Sequence, residues 1–545
     1  MKSVIKILLI VQFFAADMVA IDYGYFVSFT DKTGTPYSVD TPEDFLSARA
    51  IERRENQNIS ITETDLPVNP IYIDSLKSLG ITVKHTTKWM NGCIVFSSDA
   101  ALMDTLANYG FVSFVELTYK QKATGMAKLE YTSPKLKSGN SDKSEIYGSA
   151  FKQINTVNGI YLHNNGMQGE GKIIAIIDAG FYGVDNLPAF THLWNNNQIL
   201  GTKDFVNPSS NIFEEHAHGM NVLSIIGGKI EGSFLGTAPE AKFWLLRTED
   251  APTEYPIEAD YWICAAEFAD SAGVDVINTS LGYSTFDDET MNYTYSQLDG
   301  ETIRISRAAT IAASTGMIVI VSAGNEGNKA WHYISAPADA KNILTIGAMT
   351  SDSIKGPFSS FGPTADGRIK PDVTAMGVCT AVQDVSGSIE TGNGTSFSAP
   401  VITGMAACLW QSLSQLSSAQ VIDVILQSSS NYDNPDTGMG YGIPDFETAQ
   451  KTSIIPQRED NKNSWLVYPN PFSNHLVFSN IESSGETDIE IAFYDITGSL
   501  KYSETLKAGS EFYVDIPTYL SNGMYILQIK ENGLVSQHKL MKEDF

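Results

Sequence analysis

Between about residues 147 and 451 the sequence repeats one arrangement, a short apolar run followed by a stretch of helical periodicity. The runs Ile173–Ile177, Phe243–Leu246, Val274–Ile277, Ile318–Val321 and Ile343–Ile346 are too apolar to leave one face in water. Strands formed there must be covered on both sides, which is the condition of a parallel sheet. Ile257–Ala272 and Thr302–Thr315 carry the helical patterns that would cover it. The predicted centre of the molecule is therefore an α/β domain with a parallel sheet flanked by helices. In such sheets ligands sit beyond the carboxyl ends of the strands.

The chain has 545 residues, more than one hydrophobic core sustains. Residues 23 to 120 alternate strand-like runs (Tyr23–Phe29, Ile81–Thr87, Cys93–Ser97, Phe111–Leu117) with helical ones (Phe45–Arg54, Ile71–Leu79, Ala100–Asn108), an α+β order resembling a split βαβ plait. Lys120–Glu145 is rich in Lys, Ser, Gly and Thr without apolar periodicity and reads as an exposed linker. After a second linker, about 80 residues of short alternating strands divided by turns at Asn480–Gly485, Thr497–Gly498 and Asn522–Gly523 predict a small β-sandwich. At the other end Lys2 and Lys6 precede the apolar run Ile7–Ala16 and small residues near Ala20, the form of a signal peptide; the run is too short for a membrane anchor. The expected division is a leader over 1–20, an N-terminal domain over 21–120, a linker over 121–146, the parallel-sheet domain over 147–451, a linker over 452–464 and the sandwich over 465–545.

A formal net charge of −27 excludes nucleic acid and anionic membrane faces as electrostatic partners, since both need basic patches to displace counterions. Cys93, Cys264, Cys379 and Cys408 lie far apart in no framework spacing, so no essential disulfide is expected.

Three polar residues stand where buried strands end or helices begin. Asp178 follows Ile173–Ile177, His218 precedes Gly219 and the apolar run Val222–Ile226, and Ser396 precedes a nearly all-apolar helix with Pro400 suited to its first turn. A serine hydroxyl is a weak nucleophile that needs an adjacent base, and the base needs a third group to fix its tautomer. Asp178, His218 and Ser396 supply those types. His216 is a competing base, less well placed before the helix start. Asn325 follows a strand and two small residues, so its amide can reach the same centre.

Four motifs coincide in one order: Ile177-Asp178-Ala179-Gly180, His218-Gly219-Met220-Asn221-Val222, Ser322-Ala323-Gly324-Asn325-Glu326-Gly327 and Gly394-Thr395-Ser396-Phe397-Ser398-Ala399-Pro400. Over these roughly 300 residues the chain resembles the subtilisin-like serine proteases, or subtilases. The resemblance implies a secreted serine endopeptidase acting through an Asp178, His218, Ser396 triad and an acyl-enzyme. It makes Asn325 the oxyanion donor, and Ser280, Leu281 and Gly282 the segment that pairs with substrate backbone and walls the primary specificity pocket. Ala179 and Met220 depart from the family, which usually has Ser or Thr and Thr there. The N-terminal domain looks like a subtilase propeptide, an inhibitor of its own enzyme. The segments Val467-Tyr468-Pro469-Asn470-Pro471-Phe472 and Leu520-Ser521-Asn522-Gly523-Met524-Tyr525 resemble the sorting domain of the type IX secretion system of Gram-negative bacteria, which implies export through the periplasm to the surface or medium. Structural calcium is common in the family, but no acidic loop has its ligand spacing here, so no cofactor is required and no metal ligand is assigned. The expected partners are polypeptide substrates, the chain's own propeptide and the type IX machinery. A subtilase-like adhesin without activity is the rival reading, opposed by the complete set of triad and oxyanion residues. An α/β-hydrolase esterase would show Gly-x-Ser-x-Gly and the order Ser, Asp, His, neither of which is present.

Overall fold

The computed structural model describes residues 23–120, 146–454 and most of 465–542. The expected leader, almost all of both linkers and the Asn480–Gly485 turn lie outside the described residues. The chain divides into two compact units, Met1–Thr452 and Ser453–Phe545.

In the first unit an antiparallel sheet runs in the order Thr82–Thr87, Gly92–Ser97, Tyr23–Phe29, Val112–Lys120. Tyr25, Val27, Cys93 and Val95 on one face pack with Ile73 and Leu76 of helix Pro70–Ser78 and Met103 and Leu106 of helix Ala100–Leu106. This is the split βαβ plait expected from the alternation. Its other face is not open to water. Trp89 and Ile94 enter a core shared with Trp262 and Ala266 of helix Pro256–Ala272, and the Arg304 guanidinium lies 4.0 Å over the Phe26 ring. Strand Val112–Lys120 ends with Lys120 ion-paired to Asp288 of the sheet domain.

Behind the plait lies a seven-stranded parallel sheet. Its order is Val373–Met376, Leu344–Met349, Ile318–Ser322, Val276–Thr279, Ile173–Asp178, Lys242–Arg247, Ile199–Asp204. The alternation of a strand explains the unbroken apolar runs. Ile174 and Ile176 point into a core with helices His218–Gly227 and Thr395–Ser412, while Ala175 and Ile177 point into the core with Pro256–Ala272 and Arg304–Ser314. Helix Pro256–Ala272 starts on a proline, returns Glu258 to the Tyr255 amide, and stops at Gly273, whose φ of 80° is a left-handed cap. Two sheet members carried no apolar-run signal. Ile199–Asp204 is an edge strand whose outer residues are exposed, and Val373–Met376 is only four residues long.

One expectation needs correction. Pro400 is not in the first turn of its helix, which begins at Thr395, but inside it. A proline has no N–H to donate four residues back, so the Ser396 carbonyl is released from the helical ladder. That carbonyl instead accepts the Ser280 hydroxyl at 3.0 Å.

The second unit is an antiparallel sandwich. One sheet runs Leu466–Tyr468, His475–Ser479, Glu511–Asp515 and the other Leu500–Ala508, Thr487–Asp495, Gly523–Glu531, Leu534–Lys542. Trp465, Phe472, Phe478 and Phe493 fill the space between them.

Candidate active site

Asp178 ends its strand and is fully buried, and His218 is the first residue of its helix. They meet because residue 219 has no side chain. A Cβ there would stand 2.5 Å from the Gly180 carbonyl oxygen and 2.9 Å from the Asp178 Cβ, so only glycine lets the helix end rest on the strand end. His218 Nδ1 lies 2.7 Å from Asp178 Oδ1, which also accepts the Ala179 amide at 2.8 Å. With Nδ1–H engaged by the carboxylate, Nε2 is left as the acceptor. Burial opposes a charge on His218, but the charge and hydrogen bond of Asp178, with the charge of Glu249, outweigh it and hold the imidazole above its ordinary pKa. Asp178 Oδ2 is buried with no hydrogen-bond partner among the described residues. The amide of Ala179 reaches only Oδ1, and this chain has no hydroxyl at 179 to offer.

His216 takes another role from the one a base requires. It is exposed, and its Nδ1 accepts the His218 amide at 3.2 Å, which ties off a donor at the start of the helix.

Ser396 is the second residue of its helix, beside Phe397, whose ring centroid is 5.9 Å from that of His218. Ser396 Oγ donates to the Ser280 carbonyl at 3.2 Å, and Ser280 Oγ returns a bond to the Ser396 carbonyl. Among the described residues no hydrogen bond joins Ser396 Oγ to His218. Catalytic hydrogen bonds of this kind commonly tighten only when substrate is present. Asn325 is fixed by its oxygen, which accepts the Thr395 amide at 2.9 Å and the Thr395 hydroxyl at 3.0 Å. Its Nδ2 therefore faces away from Thr395. A Cβ on Gly394 would lie 3.7 Å from that nitrogen and 3.8 Å from Ser396 Cβ. The structure thus gathers Asp178, His218, Ser396, Asn325 and Ser280 beyond the carboxyl ends of three neighbouring strands. Leu281 packs partly against the core and Gly282 is exposed beside them.

Sequence reasoning missed the residues that hold these in place. Thr395 orients Asn325, and Thr403 donates to Asn278 at 2.8 Å, which donates to Ser280 Oγ at 3.1 Å. Thr395 was visible as the neighbour of Ser396. Asn278 carried a signal only as a polar residue inside a buried strand.

Glu249, Glu254 and Glu258 also converge, each with an oxygen within 4.8 Å of the others. Burial first, then the Asp178 charge, push Glu249 up to about 7, and burial with the Glu249 and Asp287 charges push Glu254 up to about 9. Glu258 is raised by burial and by the Glu249 and Glu254 charges. The donor set does not fit calcium, which takes six to eight oxygens. Glu258 already spends both oxygens on the Asp250 and Tyr255 amides, and Glu249 accepts the Tyr283 hydroxyl. Buried this close together, the three carboxyls do not all ionise near neutrality; Glu254, pushed up to about 9, keeps its proton there, while Glu249, at about 7, is partly charged.

Residues 24–134 match the Bacteroidota propeptide domain of peptidase S8, and residues 466–543 match the secretion system C-terminal sorting domain. Among curated proteins, serine protease AprX of Bacillus subtilis is 26% identical over 305 residues, covering 51% of this chain and 65% of AprX. Subtilisin of Bacillus pumilus is 28% identical over 291 residues, covering 53% of this chain and 94% of that protein. The crystal structure of MycP1 from Mycobacterium smegmatis superposes with a TM-score of 0.46 at 20% identity, covering 59% of this chain and 89% of that one. The model of the subtilase family, peptidase S8, matches residues 169–442, half of the chain and all four motifs around the gathered side chains, and the chain belongs to that family.

Proposed function

We propose that this chain is a secreted serine endopeptidase in which Ser396 is the nucleophile, His218 its general base and Asp178 the group that orients the histidine. The observation that carries the reading is the 2.7 Å bond from Asp178 to His218 Nδ1, with the His218 ring 5.9 Å from that of Phe397, the neighbour of Ser396. On substrate binding His218 Nε2 takes the Ser396 proton as Oγ attacks the carbonyl carbon. The oxyanion that forms is stabilised by Asn325 Nδ2. His218 then gives the proton to the departing amine, and water, deprotonated by the same nitrogen, hydrolyses the ester and restores Ser396.

The N-terminal plait in this reading is the inhibitory propeptide, cut off within Lys120–Glu145, and the sandwich is the address for export by the type IX machinery through the periplasm. Structural calcium is left unassigned. Ser396→Ala should abolish both casein hydrolysis and labelling by a fluorophosphonate while leaving the fold intact, and the pure variant should keep Lys120–Glu145 uncut. Hydrolysis retained by folded Ser396→Ala would show that another residue is the nucleophile.

A further inference from the structure

A peptide whose scissile carbonyl carbon meets Ser396 Oγ, with its oxygen toward Asn325, sends the side chain before the scissile bond between two backbone segments. One follows Ser280, whose carbonyl touches Ser396 Oγ, and the other precedes Asn325. Each presents a glycine, Gly282 and Gly324. A third segment closes the space between them. Ser335 N donates to the Ala323 carbonyl at 3.3 Å, and Ala336 exchanges two bonds with Tyr283 at 2.8 and 3.0 Å, so this segment is stitched to both walls.

The side chain of Ser335 occupies the floor. A Cβ on Gly282 would stand 3.0 Å from Ser335 Cβ, and a Cβ on Gly324 would stand 3.1 Å from Ser335 Oγ. Adding a carbon–carbon bond of about 1.5 Å puts each glycine Cα within about 4.6 Å of the serine side chain. Carbon atoms in contact are already about 3.5–4 Å apart, so a methylene between wall and floor would need about 7 Å. The cleft is therefore filled at the level of the two glycines. Ser335 is 4% exposed, and its hydroxyl makes no hydrogen bond among the described residues, which leaves it for a group that enters from the cleft.

We infer that Ser335 floors the primary specificity pocket and restricts the residue before the scissile bond to Gly, Ala or Ser, the hydroxyl being available to a small polar side chain. The inference rests on the peptidase reading of Ser396 and adds the substrate class. A larger side chain has to displace Ser335, which is wedged against two backbones, whereas an alanine methyl stops short of it. Discrimination of about a hundredfold in kcat/KM between Ala and Leu or Phe at this position is expected, within the range that pocket volume alone supplies.

The test uses the processed full-length protein and a peptide library randomised at the residue before the cut. Cleavage should follow Gly, Ala and Ser. Ser335→Gly removes the floor and should move the Leu-to-Ala and Phe-to-Ala ratios upward by at least about tenfold. Fluorophosphonate labelling of Ser396 in the same preparation is insensitive to pocket depth and separates the two readings. Labelled protein that cuts after Leu or Phe overturns the pocket assignment, as does a folded Ser335→Gly with an unchanged profile. Protein that neither labels nor cleaves overturns the peptidase reading itself. The unsubstituted profile decides the matter even where Ser335→Gly fails to fold.

Discussion

Asp270 is the residue on which the hold between the N-terminal plait and the sheet domain depends most. Its side chain is fully buried and receives Arg53 at 2.5 Å, Arg54 at 3.1 Å and Lys88 at 2.9 Å, all three reaching from the plait and no more than 9% exposed. Arg54 has a second carboxylate in Asp65 at 2.7 Å, and Lys88 lies near Glu267. Arg53 has Asp270 as its only ion-pair partner within reach among the described residues. Asp270→Asn keeps the shape and removes the charge that balances the group. Breaking a buried pair in this way costs about 3–5 kcal/mol, because the remaining cations stay desolvated. With 1.4 kcal/mol per factor of ten, that is a loss of about a hundredfold to about four thousandfold in the affinity of the plait. The assay is the dissociation constant of the two pieces after an added protease nicks residues 121–145 of Ser396→Ala protein. Glu116→Gln is the control. It removes a partner of Arg304 that is itself 51% exposed and should change affinity less than about fivefold. Equal small effects from both substitutions would refute the reasoning. Acid should act on the same residue late. The three cations outweigh burial and hold Asp270 down to about 2 from an ordinary 3.8. The carboxylate's contribution is thus complete above about pH 4 and lost as pH falls through 2, so mild acid should leave this anchor in place.

Asn325→Leu keeps the bulk and removes the amide donor. Turnover should fall by about a hundred to a thousandfold with little change in KM, and an effect confined to KM would count against the oxyanion role. Glu249→Gln removes one of the charges that raise His218. The base then loses its proton at lower pH, so the acid limb of kcat/KM against pH should move downward, and an unmoved or upward limb contradicts the assigned coupling. Deleting Trp465–Phe545 takes away no residue of the gathered site and should leave an active enzyme that stops in the periplasm of a Bacteroidota host. Normal export of that truncated chain would remove the sorting assignment.

The sequence carried the parallel sheet because burial on both faces of a strand leaves a mark at every residue, as Ile174 to Ile177 show by splitting between two cores. The two edge strands, Ile199–Asp204 and Val373–Met376, carry Gly, Thr and Lys or Thr and Ala where the inner strands carry Ile, Val and Leu, so no apolar run marks them. The same distinction governs the site. Asp178, His218, Asn325 and Ser396 could be singled out because the chemistry proposed for them demands particular side chains in particular surroundings. Their supports, Thr395, Asn278 and Thr403, act through hydrogen bonds that join positions up to 125 residues apart, and no local pattern records such a bond. Pro400 is the instructive case. Read locally, a proline near a helix start means a first turn. In the structure its missing N–H matters more than its fixed φ, since it leaves the Ser396 carbonyl free for Ser280. A residue that breaks one backbone bond thereby allows a side-chain latch between the helix of Ser396 and the segment of Ser280. That latch runs in both directions, Ser396 Oγ to the Ser280 carbonyl and Ser280 Oγ to the Ser396 carbonyl. In the proposed mechanism, the segment of Ser280 and the Ser396 nucleophile would thus be tied into one body before any peptide arrives, which would reduce the ordering that catalysis must impose at binding.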